Sequence, residues 1–296
     1  HVVLATGMDG TGAWTAPEAI THPLPREAWA HTTEAIDFAA LAGRRVAVVG
    51  AGASAFDNAA MALEAGAARV DMLVRRPEMP RVNPNRWMER TGFLNHFADL
   101  PDAQKWRFMR DLFARNQSPP QESWDRCAAH AGFALHVGAP IDAVSMQDGA
   151  IAIATPRGRF DADFLILATG LVVDLARRPE LAAVAAEAAL WRDRYTPPAG
   201  EEDAVLGGFP YLTPGLAFTE RVPGRAPWLS RLRICGFGAM VSVASSAGIS
   251  MLRPTVERMA RDIVRDIFLE QAEDDLASLR AYDERELVSM RLASDR

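Results

Sequence analysis

The sequence predicts an α/β fold with a central parallel sheet, and three observations carry this prediction. Arg45 to Val49 is followed by a glycine-rich turn, a helix over Ser54 to Ala65 and a second strand over Arg69 to Val74. These strands are apolar along most of their length, as strands buried on both faces must be. Val2 to Ala5 and Asp163 to Ala168 are further apolar strands, and each runs into an Ala-Thr-Gly turn. A strand–helix–strand unit of this kind makes parallel neighbours.

The elements between these strands follow from local signals. Asp9 to Glu27 is rich in Gly, Pro and Thr, which predicts a linker. Asp102 to Arg115 predicts a helix with Asp102 as its N-cap, and Glu122 to Ala131 predicts another helix. Alternating patterns predict four short antiparallel strands, over Phe133 to Val137, Ile141 to Gln147, Ala150 to Thr155 and Arg159 to Phe160.

The last third of the chain is loop-rich before it becomes helical. Leu232 to Cys235 predicts a strand, which Gly236 and Gly238 end. A helix is expected from Ser245 or Ser246 to Ile267, with Pro254 as a kink or restart. Charged residues dominate the rest of the chain.

Composition excludes several classes of protein. The net charge of −6 over 296 residues argues against a nucleic-acid binder, which needs a basic surface. The two cysteines, Cys127 and Cys235, form no CxxC and no Cys/His cluster, so we expect no metal site and no dithiol centre. We find no integral membrane segment or signal peptide, and the cysteine usage favours the cytoplasm.

The glycine-rich turn carries the most specific chemistry. Gly50, Gly52 and Ala55 form a GxGxxA pattern between a strand and a helix. Gly50 permits the tight turn, Gly52 lets the backbone approach a pyrophosphate, and Ala55 allows close packing of helix on strand. Ala53 and Ser54 begin the helix, whose N-terminus offers free N–H groups to that anion. The alternative is a glycine turn that only serves packing.

The end of the second strand selects the coenzyme. An NAD site places an acid here, to bind the ribose 2′-hydroxyl. This chain has Arg75 and Arg76 instead, and guanidinium groups match a 2′-phosphate in charge and geometry. Asp71 lies earlier in the strand and is expected to point elsewhere. We therefore predict NADPH, with two solvated surface arginines as the alternative.

The order of these motifs resembles the class B flavoprotein monooxygenases, which include flavin-containing monooxygenases, Baeyer–Villiger monooxygenases and ornithine or lysine N-hydroxylases. The resemblance implies a Rossmann-type two-dinucleotide-binding flavoprotein fold that lacks its first FAD-binding βαβ unit, since the chain starts at His1 inside a strand pattern. It implies three parts: the end of the FAD domain and a linker over 1–40, an inserted NADPH domain over 41–170 with a helical insertion over 84–131, and a return to the FAD domain over 171–296.

The same resemblance assigns further cofactor-binding residues. The two crossings between domains are the Ala-Thr-Gly turns, with Thr6, Gly7, Ala168, Thr169 and Gly170. His31 matches the histidine of a family fingerprint whose Phe and Gly positions are Pro25 and Glu27 here. The alternative for His31 is a linker histidine satisfied by backbone. Leu232 to Leu252 resembles the strand, turn and helix that face the flavin.

The resemblance implies an NADPH-dependent, FAD-containing monooxygenase, in which hydride passes to flavin and oxygen is transferred from a C4a-hydroperoxyflavin. Two alternatives stay open: a non-catalytic NADP(H)-binding module, and an NADPH-dependent flavoprotein reductase without oxygenase activity. The expected partners are a small-molecule substrate, the missing N-terminal FAD-binding portion and, in a homo-oligomer, a second copy. No residue identifies the substrate or a catalytic side chain.

Overall fold

The computed structural model describes residues 1–244 and 248–290. The strands are β1 (Val2–Leu4), β2 (Gly12–Trp14), β3 (Trp29–His31), β4 (Arg45–Val49), β5 (Arg69–Val74), β6 (Phe133–Val137), β7 (Ala143–Gln147), β8 (Ala150–Thr155), β9 (Gly158–Ala162), β10 (Phe164–Leu167), β11 (Leu171–Val173) and β12 (Leu232–Ile234). The α-helices are α1 (Glu18–Thr21), α2 (Ala53–Glu64), α3 (Pro84–Met88), α4 (Thr91–His96), α5 (Asp102–Arg115), α6 (Gln121–Ala128), α7 (Ala182–Glu187), α8 (Trp191–Arg194), α9 (Ala204–Gly207), α10 (Met240–Val243) and α11 (Ile249–Ala281).

A five-stranded parallel sheet in the order β3-β10-β4-β5-β6 is the centre of the molecule. The predicted α/β class with a parallel sheet is thereby confirmed. The predicted antiparallel pairing of β6 is wrong, because β6 lies parallel to β5 with Asp71 opposite Ala134. The alternation that suggested an antiparallel strand reflects its half-buried position at the sheet edge.

Two layers cover this sheet. On one face, α2 packs its buried side chains, led by Phe56, against the strands. The ring of Phe56 also contacts Trp124 of α6 at 5.8 Å and Phe133 at 6.4 Å between centroids. On the other face lies the antiparallel sheet β7-β8-β9, whose pairing the sequence predicted.

Two short segments that are far apart in sequence, residues 12–14 and 171–173, pair with each other. Strands β2 and β11 form an antiparallel ribbon, so the prediction of a plain linker over Asp9 to Glu27 is wrong. Arg178 fastens the ribbon, because its guanidinium donates to the carbonyls of Asp9 and Gly12 at 2.6–3.0 Å. The pairing partner lies about 160 residues away in sequence, which no local pattern reveals.

A parallel pair, β1 and β12, forms a separate small sheet beyond the ribbon. Arg233 of β12 is fully buried, and its guanidinium reaches Asp262 at 2.8 Å and Asp266 at 2.6 Å on α11. These two bonds hold the long helix to the small sheet. Pro254 lies inside α11, while Ser245 and Ser246, the expected helix start, fall outside the described residues.

Helix α5 packs against the C-terminal part of the chain in an aromatic cluster. Trp106 and Met109 of α5 are buried with Trp191 and Phe209 from the C-terminal part. The predicted N-cap is wrong by one position: Pro101 precedes α5 and Asp102 is its first residue. Asp102 instead accepts a hydrogen bond from the Tyr211 hydroxyl at 2.8 Å. No helix among residues 1–244 and 248–290 carries an apolar stretch long enough to cross a membrane.

Candidate coenzyme site

A cavity of about 470 Å³ opens at the carboxyl ends of the parallel strands. In open α/β sheets, this is the edge at which ligands bind. Seven of its lining residues come from the segments that the sequence singled out: Gly50, Ala51, Gly52, Arg75, Arg76, Ala168 and Thr169. The structure therefore brings together the glycine turn, the arginine pair and the second Ala-Thr-Gly turn.

Gly50 and Gly52 are glycine for different structural reasons. Gly50 has a φ of 135°, and a Cβ placed there would lie 2.5 Å from the carbonyl oxygen of Ala168. Only glycine fits where this turn crosses the segment that contains Ala168. Gly52 has an ordinary extended backbone with a φ of −82°, and a Cβ there would have no atom within 4 Å. Its bare backbone therefore leaves open space that a ligand can occupy.

The N-terminus of α2 faces the same turn. Ala53 and Ser54 are its first residues, and their backbone N–H groups have no hydrogen-bond acceptor within the described parts of the chain. Ala55 of α2 is fully buried, as the packing role predicted from sequence requires. A twelve-residue helix with free N–H groups and no side-chain cap is a site that suits an anion.

Arg75 and Arg76 line the same cavity as the glycine turn. Neither guanidinium has a carboxylate partner among the described residues. Burial, followed by the charge of Arg75, lowers the pKa of Arg76. Two adjacent guanidinium groups that repel each other are stabilised by a bound dianion, and a phosphate monoester supplies that charge.

Asp71 points away from this pair, as the sequence predicted. It is buried between Arg69, whose Nε lies 2.6 Å away, and His136, whose Nε2 lies 2.7 Å away. Burial by itself would raise the pKa of Asp71, but the hydrogen bonds from these two groups outweigh it and lower the pKa. Its carboxylate is therefore committed to structure and does not compete for a ribose hydroxyl.

His31 lies at the end of β3 and is 4% exposed. Its Nδ1 accepts from the backbone N–H of Thr33 at 3.3 Å and lies 2.8 Å from the Thr33 hydroxyl. Its Nε2 is buried and has no partner among residues 1–244 and 248–290. Burial lowers the pKa of His31, so the ring is neutral and Nε2 carries the hydrogen. His31 does not line the cavity, and its neighbour is Trp14 at 6.1 Å.

The two Ala-Thr-Gly turns share one conformation, since Gly7 and Gly170 both have a φ of 86°. They lie at opposite ends of the β2–β11 ribbon. Thr6 and Gly7 are exposed and lie against the glycine turn that follows β12, where a Cβ on Gly236 would sit 3.0 Å from the Gly7 carbonyl oxygen. The first turn therefore lies apart from the cavity that the second turn lines.

Sequence reasoning missed part of the cavity wall. Asn116 and Gln117, which follow α5, line it beside the arginine pair. So do Pro17 and Ile20 of the crossing segment, and Ala139 to Ile141 after β6. The one available signal was the polar pair Asn-Gln directly after a helix, which a sequence alone cannot connect to a distant turn.

No cluster of three or more His, Cys, Asp or Glu residues suited to a metal occurs in the part of the chain that the structure describes. Both cysteines are free thiols. Burial raises the pKa of Cys127 to about 11 and also raises that of Cys235.

No protein-family model matches this chain. It is 44% identical over 288 residues to the FAD-dependent urate hydroxylase of Xanthomonas campestris pv. campestris, which covers 97% of this chain and 61% of that protein. The chain thus spans about three fifths of the length of this relative.

Solved structures share the fold at low sequence identity. L-lysine 6-monooxygenase from Pseudomonas syringae matches 89% of this chain and 63% of its own, with 18% identity and a TM-score of 0.62. Ornithine hydroxylase from Pseudomonas aeruginosa matches 86% and 60%, with 14% identity and a TM-score of 0.55. The Kutzneria sp. 744 ornithine N-hydroxylase, solved with reduced FAD, NADP+ and L-ornithine, matches 84% and 60%, with 16% identity and a TM-score of 0.53. These similarities bear out the resemblance to the class B flavoprotein monooxygenases that the motifs indicated.

Proposed function

We propose that this chain is the NADPH-binding and C-terminal part of an NADPH-dependent, FAD-containing monooxygenase. The observation that carries the proposal is that Arg75 and Arg76, which have no carboxylate partner among the described residues, line a cavity together with an open glycine turn. A relative that is 44% identical over 288 residues and is an FAD-dependent urate hydroxylase supports the flavin part.

Different residues of the cavity would bind different parts of the coenzyme. We expect the free N–H groups of Ala53 and Ser54 to bind the pyrophosphate, with Gly52 allowing its close approach. Arg75 and Arg76 would bind the 2′-phosphate by charge-assisted hydrogen bonds. The wall at Ala168 and Thr169 then directs the rest of the coenzyme along the crossing between the two halves.

FAD is expected on the other side of the β2–β11 ribbon. Thr6 and Gly7 are exposed there and can contact it. The turn from Gly236 to Gly238 packs closely beside them. Once bound, NADPH and FAD supply the hydride and oxygen-transfer chemistry. The protein's part is to hold both groups in register and to exclude water. His31 does not line the cavity and its Nε2 is buried, so the coenzyme contact expected for it stays a prediction.

Binding of NADPH and NADH by this chain tests the coenzyme assignment directly. Arg75→Ala combined with Arg76→Ala should weaken NADPH binding at least about tenfold, since a hydrogen bond to a charged group contributes about 1.5–3 kcal/mol. NADH binding should change little. Arg81→Ala is the matched control, because Arg81 is exposed in the same loop and does not line the cavity. Equal losses for both coenzymes would remove the 2′-phosphate role.

We propose urate, the substrate named for the Xanthomonas relative, as the substrate of the complete enzyme. Urate should accelerate NADPH oxidation and be consumed in equal amount, with little hydrogen peroxide released. NADPH oxidation that continues without urate consumption would favour the reductase alternative. A disulfide-type reductase is disfavoured already, because Cys127 is a buried thiol with a raised pKa. Coenzyme binding without any turnover in the complete protein would favour the binding-module alternative.

A further inference from the structure

The helical insertion reaches into the coenzyme cavity through one turn. Asn116 and Gln117 follow α5 directly and line the cavity together with Arg75, Arg76 and Pro80. The turn is tied to the loop that begins at Arg75 and Arg76, because the backbone N–H of Ser118 donates to the carbonyl of Val82 in that loop.

This turn is held in a conformation that its residues do not prefer. Asn116 has a φ of 57°, which is uncommon for a residue other than glycine. Its side-chain Nδ2 donates to the carbonyls of Phe113 and Ala114 at 2.9 and 3.0 Å, and so closes the C-terminus of α5. Backbone held in sparsely populated regions is concentrated at ligand-binding sites.

The carboxamide of Gln117 is oriented by a neighbour. Its Oε1 accepts a hydrogen bond from Asn85 Nδ2 at 3.1 Å, and Asn85 is itself fixed, since its backbone N–H donates to Asn83 Oδ1 at 3.0 Å. With Oε1 engaged, the two N–H donors of Gln117 are the part of the group that is left for a ligand. They have no acceptor among the described residues.

We propose that Gln117 is a coenzyme-specificity residue, supplied by the helical insertion, which donates a hydrogen bond to the 2′-phosphate end of NADPH beside Arg75 and Arg76. The proposal rests on the proposed function of the cavity. A neutral amide adds directed donors without adding to the repulsion between the two guanidinium groups. Asn85 is the positioning residue, because it acts on the ligand only through Gln117.

Binding of adenosine 2′,5′-bisphosphate and adenosine 5′-monophosphate to the complete FAD-loaded protein, measured by calorimetry, tests this inference. Gln117→Glu keeps the size of the side chain but places a carboxylate against the 2′-phosphate. It should weaken the bisphosphate at least about tenfold and leave the monophosphate within about twofold. Gln117→Ala should give a smaller loss with the same selectivity, and Asn85→Ala a smaller one again.

Gln104→Glu is the matched control, because Gln104 is exposed on α5 and does not line the cavity, so it reports the effect of one added negative charge. Equal binding of the bisphosphate by the wild type and Gln117→Glu would overturn the role of Gln117 alone, provided that Arg75→Ala still weakens it. A wild-type protein that does not prefer the bisphosphate over the monophosphate would overturn both this inference and the NADPH assignment.

Discussion

Replacing Gly50 or Gly52 of the glycine turn by alanine should separate the stability of the fold from the binding of NADPH. At Gly52 the φ of −82° suits any residue, and the new methyl group would meet no protein atom within 4 Å. At Gly50 the φ of 135° is unfavourable for alanine, and the methyl group would lie 2.5 Å from the Ala168 carbonyl oxygen. The same substitution therefore acts on the ligand at one position and on the fold at the other.

The magnitudes follow from these contacts. Gly52→Ala should change the stability by less than about 1 kcal/mol, because the restriction of the unfolded state by alanine is offset by its poorer fit at the N-cap of α2. With the pyrophosphate bound at this turn as proposed, the methyl group should displace it from the helix N-terminus and weaken two hydrogen bonds to a charged group. At about 1.5 kcal/mol or more for each, NADPH binding should fall by about 100-fold. Gly50→Ala should cost at least about 1–3 kcal/mol of stability from backbone strain alone.

Urea denaturation followed by circular dichroism gives the stability of each variant, and calorimetry with NADPH gives the affinity. Gly43→Ala is the strain control, because Gly43 has a φ of 72° with open space around its Cβ and lies outside the cavity. A Gly52→Ala protein that binds NADPH as tightly as the wild type would refute the assignment of this turn to the pyrophosphate. An unchanged denaturation midpoint for Gly50→Ala would refute the packing argument.

Three further predictions concern the framework. Arg233→Met leaves two carboxylates facing a buried apolar group, so it should lower the free energy of unfolding in urea by about 3–5 kcal/mol. Arg253→Met, at an exposed ion pair, should lower it by less than about 1 kcal/mol. Arg178→Ala should accelerate amide hydrogen exchange in β2 and β11 while β4 is unaffected; equal exchange in the ribbon would contradict its fastening role. Because the pKa of Asp71 is lowered by folding, its contribution to stability is present above its ordinary pKa of 3.8 and is lost as the pH falls through the lowered value. Asp71→Asn should flatten this acid limb, and an unchanged pH profile would count against the ion pairs.

The elements that could be predicted from sequence are those whose signals are local. Strand β4, helix α2 and strand β5 form one contiguous unit in which apolar strands, a glycine turn and a stop at Gly66 agree. The ends of α5 were also predicted correctly, although its N-cap was not, because Asp102 is engaged by Tyr211 from a distant segment.

What could not be predicted depends on partners far away in sequence. The three-residue strands β2 and β11 exist only because they pair with each other. Strand β6 reads as an antiparallel edge until β5 is placed beside it, and its polar His136 then has a partner in Asp71. Gln117 lines the cavity because a helix of fourteen residues carries it there, and no motif marks it.

Helix α5 connects the aromatic cluster around Trp191 with the wall of the cavity. Its fourteen residues span about 21 Å, with Asp102 and Tyr211 at one end and Asn116 at the other. Since Trp106 and Met109 are buried in the aromatic cluster, the helix cannot slide along its axis without breaking that packing. A substitution at Trp191, whose ring lies 6.1 Å from that of Trp106 between centroids, should therefore displace α5 and with it Asn116 at the cavity wall.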